Sequence, residues 1–405
     1  AIGLGIGYAV SWIFMAPRLR RFSIAANDSI TIPQYLTNRF LSKNKSLQIL
    51  SAIIFLVAYT IYAASSIKAC GTLFNTVMDI DPTVAMYIAA FIIVAYTFLG
   101  GFSAVCWTDF FQGMIMLAAL LIAPLFALAL AKAGDGAATG AALPDGFFNF
   151  FTTPQDIISG LGWGLGYFGM PHIIIRFMSL KSEKELRKSS VIGISWTTII
   201  LIMSALTAIA GRLYLGEIED SSTVFITMVR RIFPALVSGL LLSAILSAAM
   251  STADSQLLAA SSAFASDVYK PVIRKKASDS EMLWAGRIVV IVIAVVALMI
   301  ASDPNSGSIM GLVENAWGVF GAAFGPVILL SLFWKRLTFG GTVAGIAVGA
   351  AVDILWLVFL SSTDIYEIVP GFAAGLLAAV VVSLLSKGPG KDVEDLFDRA
   401  VDLKS

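Results

Sequence analysis

The chain has 405 residues, of which 58% are hydrophobic and 13% charged, and its formal net charge is +1. A soluble domain covers its surface with roughly 25% charged residues, so a mean hydropathy of +0.88 excludes a soluble protein and reads as a polytopic membrane protein. The two cysteines, Cys70 and Cys106, lie in apolar segments without metal-ligand spacing and are expected to be reduced packing residues.

A hydrocarbon core about 30 Å thick takes roughly 20 apolar residues per helix. On that rule eleven spans are predicted, at about 1–17, 47–74, 83–99, 103–132, 155–178, 189–213, 234–262, 283–301, 309–334, 339–361 and 367–386. The first, AIGLGIGYAVSWIFMAP, opens at Ala1 with no initiator Met and ends in RLRR rather than a cleavage site. It is therefore expected to be a spanning helix in a chain cut at its N-terminus.

The second span carries Tyr62 and Lys68 in YTIYAASSIKACGTLF. Lys68 lies roughly 9 Å from its helix end, within snorkelling reach, and is expected to be structural. Tyr62 is the more informative polar group there. In WTDFFQ, Asp109 lies roughly 9 Å inside the span that begins near Ser103. Capping of that helix is the competing explanation.

The fifth span contains GWGLGYFGMPH, residues 162–172, with glycines at 162, 164, 166 and 169, Pro171 and the chain's single histidine, His172. Each interior glycine weakens a helix by about 1 kcal/mol, and Pro171 removes a backbone donor. Irregular backbone at membrane depth is tolerated only where it lines a cavity or is buried in protein, and transporters place substrate and ions at such breaks. Where this segment is helical, Trp163, Tyr167 and Pro171 recur at i, i+4 and i+8 and share a face. Close helix packing through small residues explains the same glycines without a binding role. His172 has no second metal ligand at a useful spacing and is expected to hydrogen-bond within the broken helix.

AAMSTADSQ, residues 248–256, places Ser251, Asp254 and Ser255 on one helix face beside Thr252. Hydroxyl, carbonyl and carboxylate oxygens suit a small hard cation such as sodium. Back-bonding of Ser and Thr to their own helix explains the hydroxyls, not Asp254. Asp254 lies roughly 12 Å from the same side as Asp109, so the two are expected to be able to meet.

Basic connections (18–46, 179–188, 263–282 and Lys335–Arg336) alternate with acidic ones bearing Asp79, Asp81, Asp135, Asp145, Glu217, Glu219, Asp220, Asp303, Asp364 and Glu367. The positive-inside rule then puts the C-terminus in the cytoplasm. Arg230 and Arg231 break the pattern, in TVFITMVRRIF, which is expected to be an amphipathic surface helix. The tail KGPGKDVEDLFDRAVDLKS is expected to form a short cytoplasmic helix, giving a transporter domain over 1–386 and a tail over 387–405.

GWGLGYFGMPHIIIRFM, FLGGFSAVCWTD, LLSAILSAAMSTADSQLL, AWGVFGAAFGPVILLSLFW and YEIVPGF closely resemble segments of bacterial sodium/proline symporters of the solute:sodium symporter family, in order from residue 1 to about 386. The resemblance implies an all-α, LeuT-type core of two inverted repeats. Against the family's thirteen spans, the first core helix and one preceding helix would be missing from this chain. It implies sodium ligands at the Ala248 carbonyl, Ser251 and Thr252, and a second sodium site, seen in some members, at Asp109, Asp254 and Ser255. It implies a proline pocket at Trp163, Tyr167, Pro171 and Tyr62. Departures from the family pattern are Asp254 where Ser is common, Met170 where Gln is familiar, and Lys68 where an apolar residue is usual.

The expected activity is therefore sodium-coupled uptake of L-proline by alternating access in a bacterial inner membrane. Na+ would be the co-transported ion, with no organic cofactor, no nucleic-acid partner and no enzymatic chemistry. The alternatives are another solute (pantothenate, a sugar or a sialic acid), a transporter-like sensor domain, or a passive channel.

Overall fold

A computed structural model describes residues 1–134, 143–149 and 153–403. Among the described residues the regular structure is entirely helical. In chain order it comprises α1 (Ile2–Val10), a π-helical turn (Ser11–Met15), α2 (Ala16–Ala25), α3 (Ile32–Arg39), α4 (Ser46–Met78) and α5 (Pro82–Ala133). There follow α6 (Pro154–Gly162), a 3₁₀ turn (Trp163–Phe168), α7 (Pro171–Met178), α8 (Glu183–Leu215) and α9 (Val224–Ile232). The remainder is α10 (Ala235–Ala263) with a π-helical extension (Phe264–Ile273), α11 (Asp279–Ser302), α12 (Ile309–Phe333), α13 (Phe339–Phe359), α14 (Ile368–Leu385) and α15 (Lys391–Asp402).

Ten stretches among the described residues are long and apolar enough to cross a bilayer. The eleventh predicted span is the segment divided into α6, the 3₁₀ turn and α7, and none of its pieces is long enough alone. Two boundaries differ from expectation. The first span runs on to Ala25 instead of ending near residue 17, because the π-helical turn Ser11–Met15 lies just before Pro17 and carries the helix past its missing N–H. The predicted spans 83–99 and 103–132 are joined into the single 52-residue helix α5, since the connection between them holds glycines but no proline.

α12 lies at the centre, with 83% of its apolar window buried. It packs against α4, α13, α14 and the 3₁₀ turn. A helix that is apolar all round belongs in such a place, and AWGVFGAAFG lets its neighbours approach on every side. α9 is the expected amphipathic helix: Ile226, Met228 and Val229 are buried while Arg230 donates to the Thr76 carbonyl over 2.7 Å.

The tail does not hang free. α15 buries Val393, Leu396, Phe397 and Ala400, with the Phe397 ring 5.1 Å from that of Phe22 on α2. Beneath it Arg39, 0% exposed, lies over the rings of Phe22, Phe40 and Phe397 and donates to the Val393 carbonyl over 3.1 Å. Burial pulls this guanidinium below its usual range and pushes the neighbouring Tyr35 hydroxyl up to about 12.

Candidate functional site

The break in the fifth span is built by its own sequence. The N–H groups of Gly169 and Met170 both donate to the Gly166 carbonyl, over 2.9 and 3.0 Å, which closes the 3₁₀ turn. Met170 is then extended, and Pro171 opens α7, where its lost N–H costs nothing. A 3₁₀ turn has three residues per turn, so the expected common helical face of Trp163, Tyr167 and Pro171 does not form. Pro171 is buried at the start of α7, and Met170 is 0% exposed behind it.

Trp163 and Tyr167 are brought together by a third residue instead. The Trp317 ring of α12 lies 6.4 Å from Trp163 and 5.0 Å, edge-on, from Tyr167. Its indole N–H donates to the Trp163 carbonyl over 3.0 Å. Tyr366 adds a ring 5.0 Å from Trp163, and Tyr8 of α1 one 5.0 Å from Tyr167. Trp317 fits because position 166 is glycine; a Cβ there would overlap the indole nitrogen. The small residues thus serve close packing, the alternative weighed from the sequence, as well as the break. Tyr62 of α4 is half-buried and packs against the same buried cluster as Trp163 and Tyr167.

Beside Tyr366 a cavity of about 720 Å³ opens between the start of α6 and the connection from α13 to α14. Its ionisable lining groups are Asp156, Glu314, Asp364, Tyr366 and Glu367. It forms a vestibule of acidic character leading to the Trp163–Tyr366 face.

The polar residues of α10 form two levels. Ser251 Oγ donates to the Ala248 carbonyl over 3.2 Å, so two of the expected sodium ligands converge by back-bonding. Two oxygens at that separation can both contact one cation at about 2.4 Å. Thr252 is half-buried next to them and makes no side-chain hydrogen bond among the described residues. One turn further on, Ser255 Oγ donates to Asp109 Oδ2 over 3.1 Å, and Tyr96 donates to Asp254 Oδ2 over 2.6 Å and to the Met250 carbonyl over 3.1 Å. Asp254 is 0% exposed, and both it and Asp109 leave Oδ1 without a partner among the described residues. Unpaired carboxylate oxygens at membrane depth are costly and fit a cation as the missing partner. Asp109 lies inside α5, so it is no cap.

The remaining sequence candidates resolve simply. Lys68 donates to Ser306 Oγ over 2.9 Å and to the Gly307 carbonyl, tying α4 to the connection before α12. His172 stands with its ring 6.2 Å from that of Tyr59, and its Nδ1 makes no hydrogen bond within the broken helix. Cys70 is buried, Cys106 is exposed, and both are free. Sequence reasoning missed Trp317, Tyr366, Tyr8 and Tyr96. The first two sit in AWGVFG and YEIVPGF, whose aromatic residues beside glycine or a carboxylate were the available signal.

A multi-pass helical protein with one span broken against an aromatic face, and hydroxyls and carboxylates gathered on a neighbouring helix, has the architecture of a secondary transporter. Residues 1–349 match the sodium:solute symporter family, and the chain belongs to it. It is 43% identical over 411 residues to the high-affinity proline transporter PutP of Bacillus subtilis (strain 168), covering 100% of this chain and 87% of the relative. It is 43% identical over 419 residues to a sodium/proline symporter of Haemophilus influenzae, covering 99% and 83%. Among solved structures it is similar to the substrate-bound outward-open state of a Na+-coupled sialic acid symporter, with a TM-score of 0.70, 19% identity, and 95% of this chain and 90% of that chain covered. The fold is thus the LeuT-type transporter core expected from the sequence.

Proposed function

We propose that the protein takes up L-proline in symport with sodium, by alternating access across a bacterial inner membrane. The similarity along the whole chain to curated proline transporters supports the substrate. The observation that carries the mechanism is the break at Gly169–Met170, with Trp163 and Tyr167 held by Trp317 on one side and α10 reached through α7 on the other. Alternation of basic and acidic connections supports a cytoplasmic C-terminus, which makes the acidic vestibule the outer entrance.

Sodium bridges the Ala248 carbonyl, Ser251 and Thr252, replacing the Ser251 back-bond with ion contacts. Asp109, Asp254 and Ser255 offer a second set of oxygens for another ion. Proline packs its ring against Trp163 and Tyr167, with Tyr62 and Pro171 bounding the pocket, and the exposed helix ends answer its carboxylate and ammonium. Coupling requires only that both ligands favour the same conformation, so that each raises the other's affinity.

Proline uptake into proteoliposomes tests this reading. An inward sodium gradient drives accumulation, and Ser251→Ala with Thr252→Ala abolishes the sodium dependence. Accumulation indifferent to sodium, or untouched by the double substitution, rejects the mechanism. A competition panel of pantothenate, sugars and sialic acid that displaces proline rejects the substrate.

A further inference from the structure

We propose that Asp353 and Glu367 form a proton-binding site beneath the acidic vestibule, in which two carboxyl groups hold one proton between them. Asp353, on α13, is 0% exposed, and neither of its carboxyl oxygens has a hydrogen-bond partner among the described residues. Glu367, just ahead of α14, is 7% exposed and leaves Oε1 unpartnered among the described residues. The two side chains meet over Gly318 of α12. A Cβ on that glycine would lie 3.0 Å from Asp353 Oδ1 and 3.4 Å from Glu367 Cγ. On the other side a Cβ on Gly371 of α14 would lie 2.9 Å from Asp353 Cβ. Gly318 therefore leaves room for the carboxyl pair, and Gly371 for the Asp353 side chain at its root.

The site has an entrance. Glu367 and Glu314 line the vestibule together with Trp356 and Leu357, which follow Asp353 by about one turn of α13. The surrounding charges are few and mostly of one sign. α14 carries no titratable residue, α13 only Asp353 and α12 only Glu314. The connection to α14 adds Asp364 and Tyr366, and α6 adds Asp156 at the rim. α4 contributes Tyr59, Tyr62, Cys70 and Lys68, and Lys68 is committed to Ser306 and Gly307.

An ionised carboxylate without a donor is expensive in such a place, and two sharing one space resist ionising together until the pH is alkaline. A divalent cation such as calcium or magnesium would need about six oxygens, while the nearby Glu314 carbonyl is already taken by the Tyr366 hydroxyl over 2.9 Å. A proton needs only the pair. It arrives as hydronium in the vestibule: one O–H bond to water breaks, one forms to a carboxyl oxygen, and the charge on the pair falls from −2 to −1. Because the Tyr366 ring packs at a tilt against Trp163, this charge lies next to the aromatic face, although the site shares no residue with the oxygens of α10.

Infrared difference spectroscopy of the purified protein in lipid nanodiscs tests the site without reference to transport. The expected result is a protonated-carboxyl C=O band at neutral pH that shifts in D2O and disappears reversibly on alkaline titration. Asp353→Asn and Glu367→Gln each remove it, and Glu314→Gln retains it. The wild-type titration stands alone should a variant fail to fold. A wild-type spectrum without the band, a band that survives both substitutions, or one lost with Glu314→Gln overturns the proposal. So does a band abolished by sodium or potassium chloride at constant pH, which would make a metal ion the ligand.

Discussion

Trp317 of α12 donates its indole N–H to the carbonyl of Trp163 over 3.0 Å, so the most buried helix holds the first residue of the broken segment. The bond fixes backbone that has left α-helical geometry, and the same ring packs edge-on to Tyr167. One side chain therefore sets the position of both proposed pocket aromatics.

Trp317→Phe keeps an aromatic ring but removes the donor. The Trp163 carbonyl then loses a partner in a half-buried site, a loss of about 1–3 kcal/mol. Spent on pocket geometry, this raises the KM for proline by about tenfold, equivalent to ~1.4 kcal/mol, with a maximal rate close to wild type. Uptake kinetics check the split, and an unchanged KM would show that the bond does not shape the pocket.

Tyr96→Phe removes the hydrogen bond that Asp254 Oδ2 receives over 2.6 Å. The carboxylate is left 0% exposed and without that donor, which destabilises the protein by about 1–3 kcal/mol. A sodium ion bound by Asp254 offsets part of the loss, because a ligand of the native state stabilises it by mass action. The melting temperature of the variant should therefore rise more on exchanging choline chloride for sodium chloride than that of wild type. An equal rise in both proteins argues that Asp254 does not ligate sodium.

Two glycines of one segment respond oppositely to alanine. At Gly166 a Cβ overlaps the Trp317 indole, and overpacking costs about 1–3 kcal/mol. A Cβ on Gly160 would meet nothing within 4 Å among the described residues, and the residue is inside α6, so alanine stabilises by up to about 1 kcal/mol through helix propensity. Thermal unfolding in detergent should lower the midpoint for Gly166→Ala and raise it for Gly160→Ala. A common sign for the two would mean that the glycines act through backbone flexibility rather than through what they touch.

These contrasts mark how far the sequence could be read. Hydropathy located the spans, and glycine with proline located the break, because both are properties of a local window. The same window could not show that α5 runs on past residue 99, since joining two spans depends on what packs around the junction. It named Trp163, Tyr167 and Asp109, but not that Trp317 joins the first two or that Ser255 reaches the third. Such partners lie far away in the chain and are chosen by packing. Asp353 is legible as the one titratable residue of its apolar span, but its surroundings are not: only Gly318 of α12 shows that space was left for its carboxyl group.

The docking of α15 separates packing from charge. Phe397 covers Arg39 and stacks edge-on to Phe22, so Phe397→Ala removes a buried ring and opens water access to a fully buried guanidinium. The expected loss is about 3–5 kcal/mol if the helix stays docked, and undocking would appear as proteolytic cleavage after Leu385 with the bundle intact. The neighbouring ion pair is different. Lys335 and Asp398 meet at 2.6 Å, but their side chains are 42% and 55% exposed, and solvent screens such a pair. Asp398 holds the Lys335 ammonium above its usual range. Whatever the pair contributes is thus fully present below that range and is lost only as pH rises through it, far into alkali. Asp398→Asn should leave the unfolding midpoint unchanged at neutral pH in low and high salt. If Asp398→Asn undocks the helix and Phe397→Ala does not, electrostatics rather than the Phe22–Arg39–Phe397 stack holds the tail to the bundle.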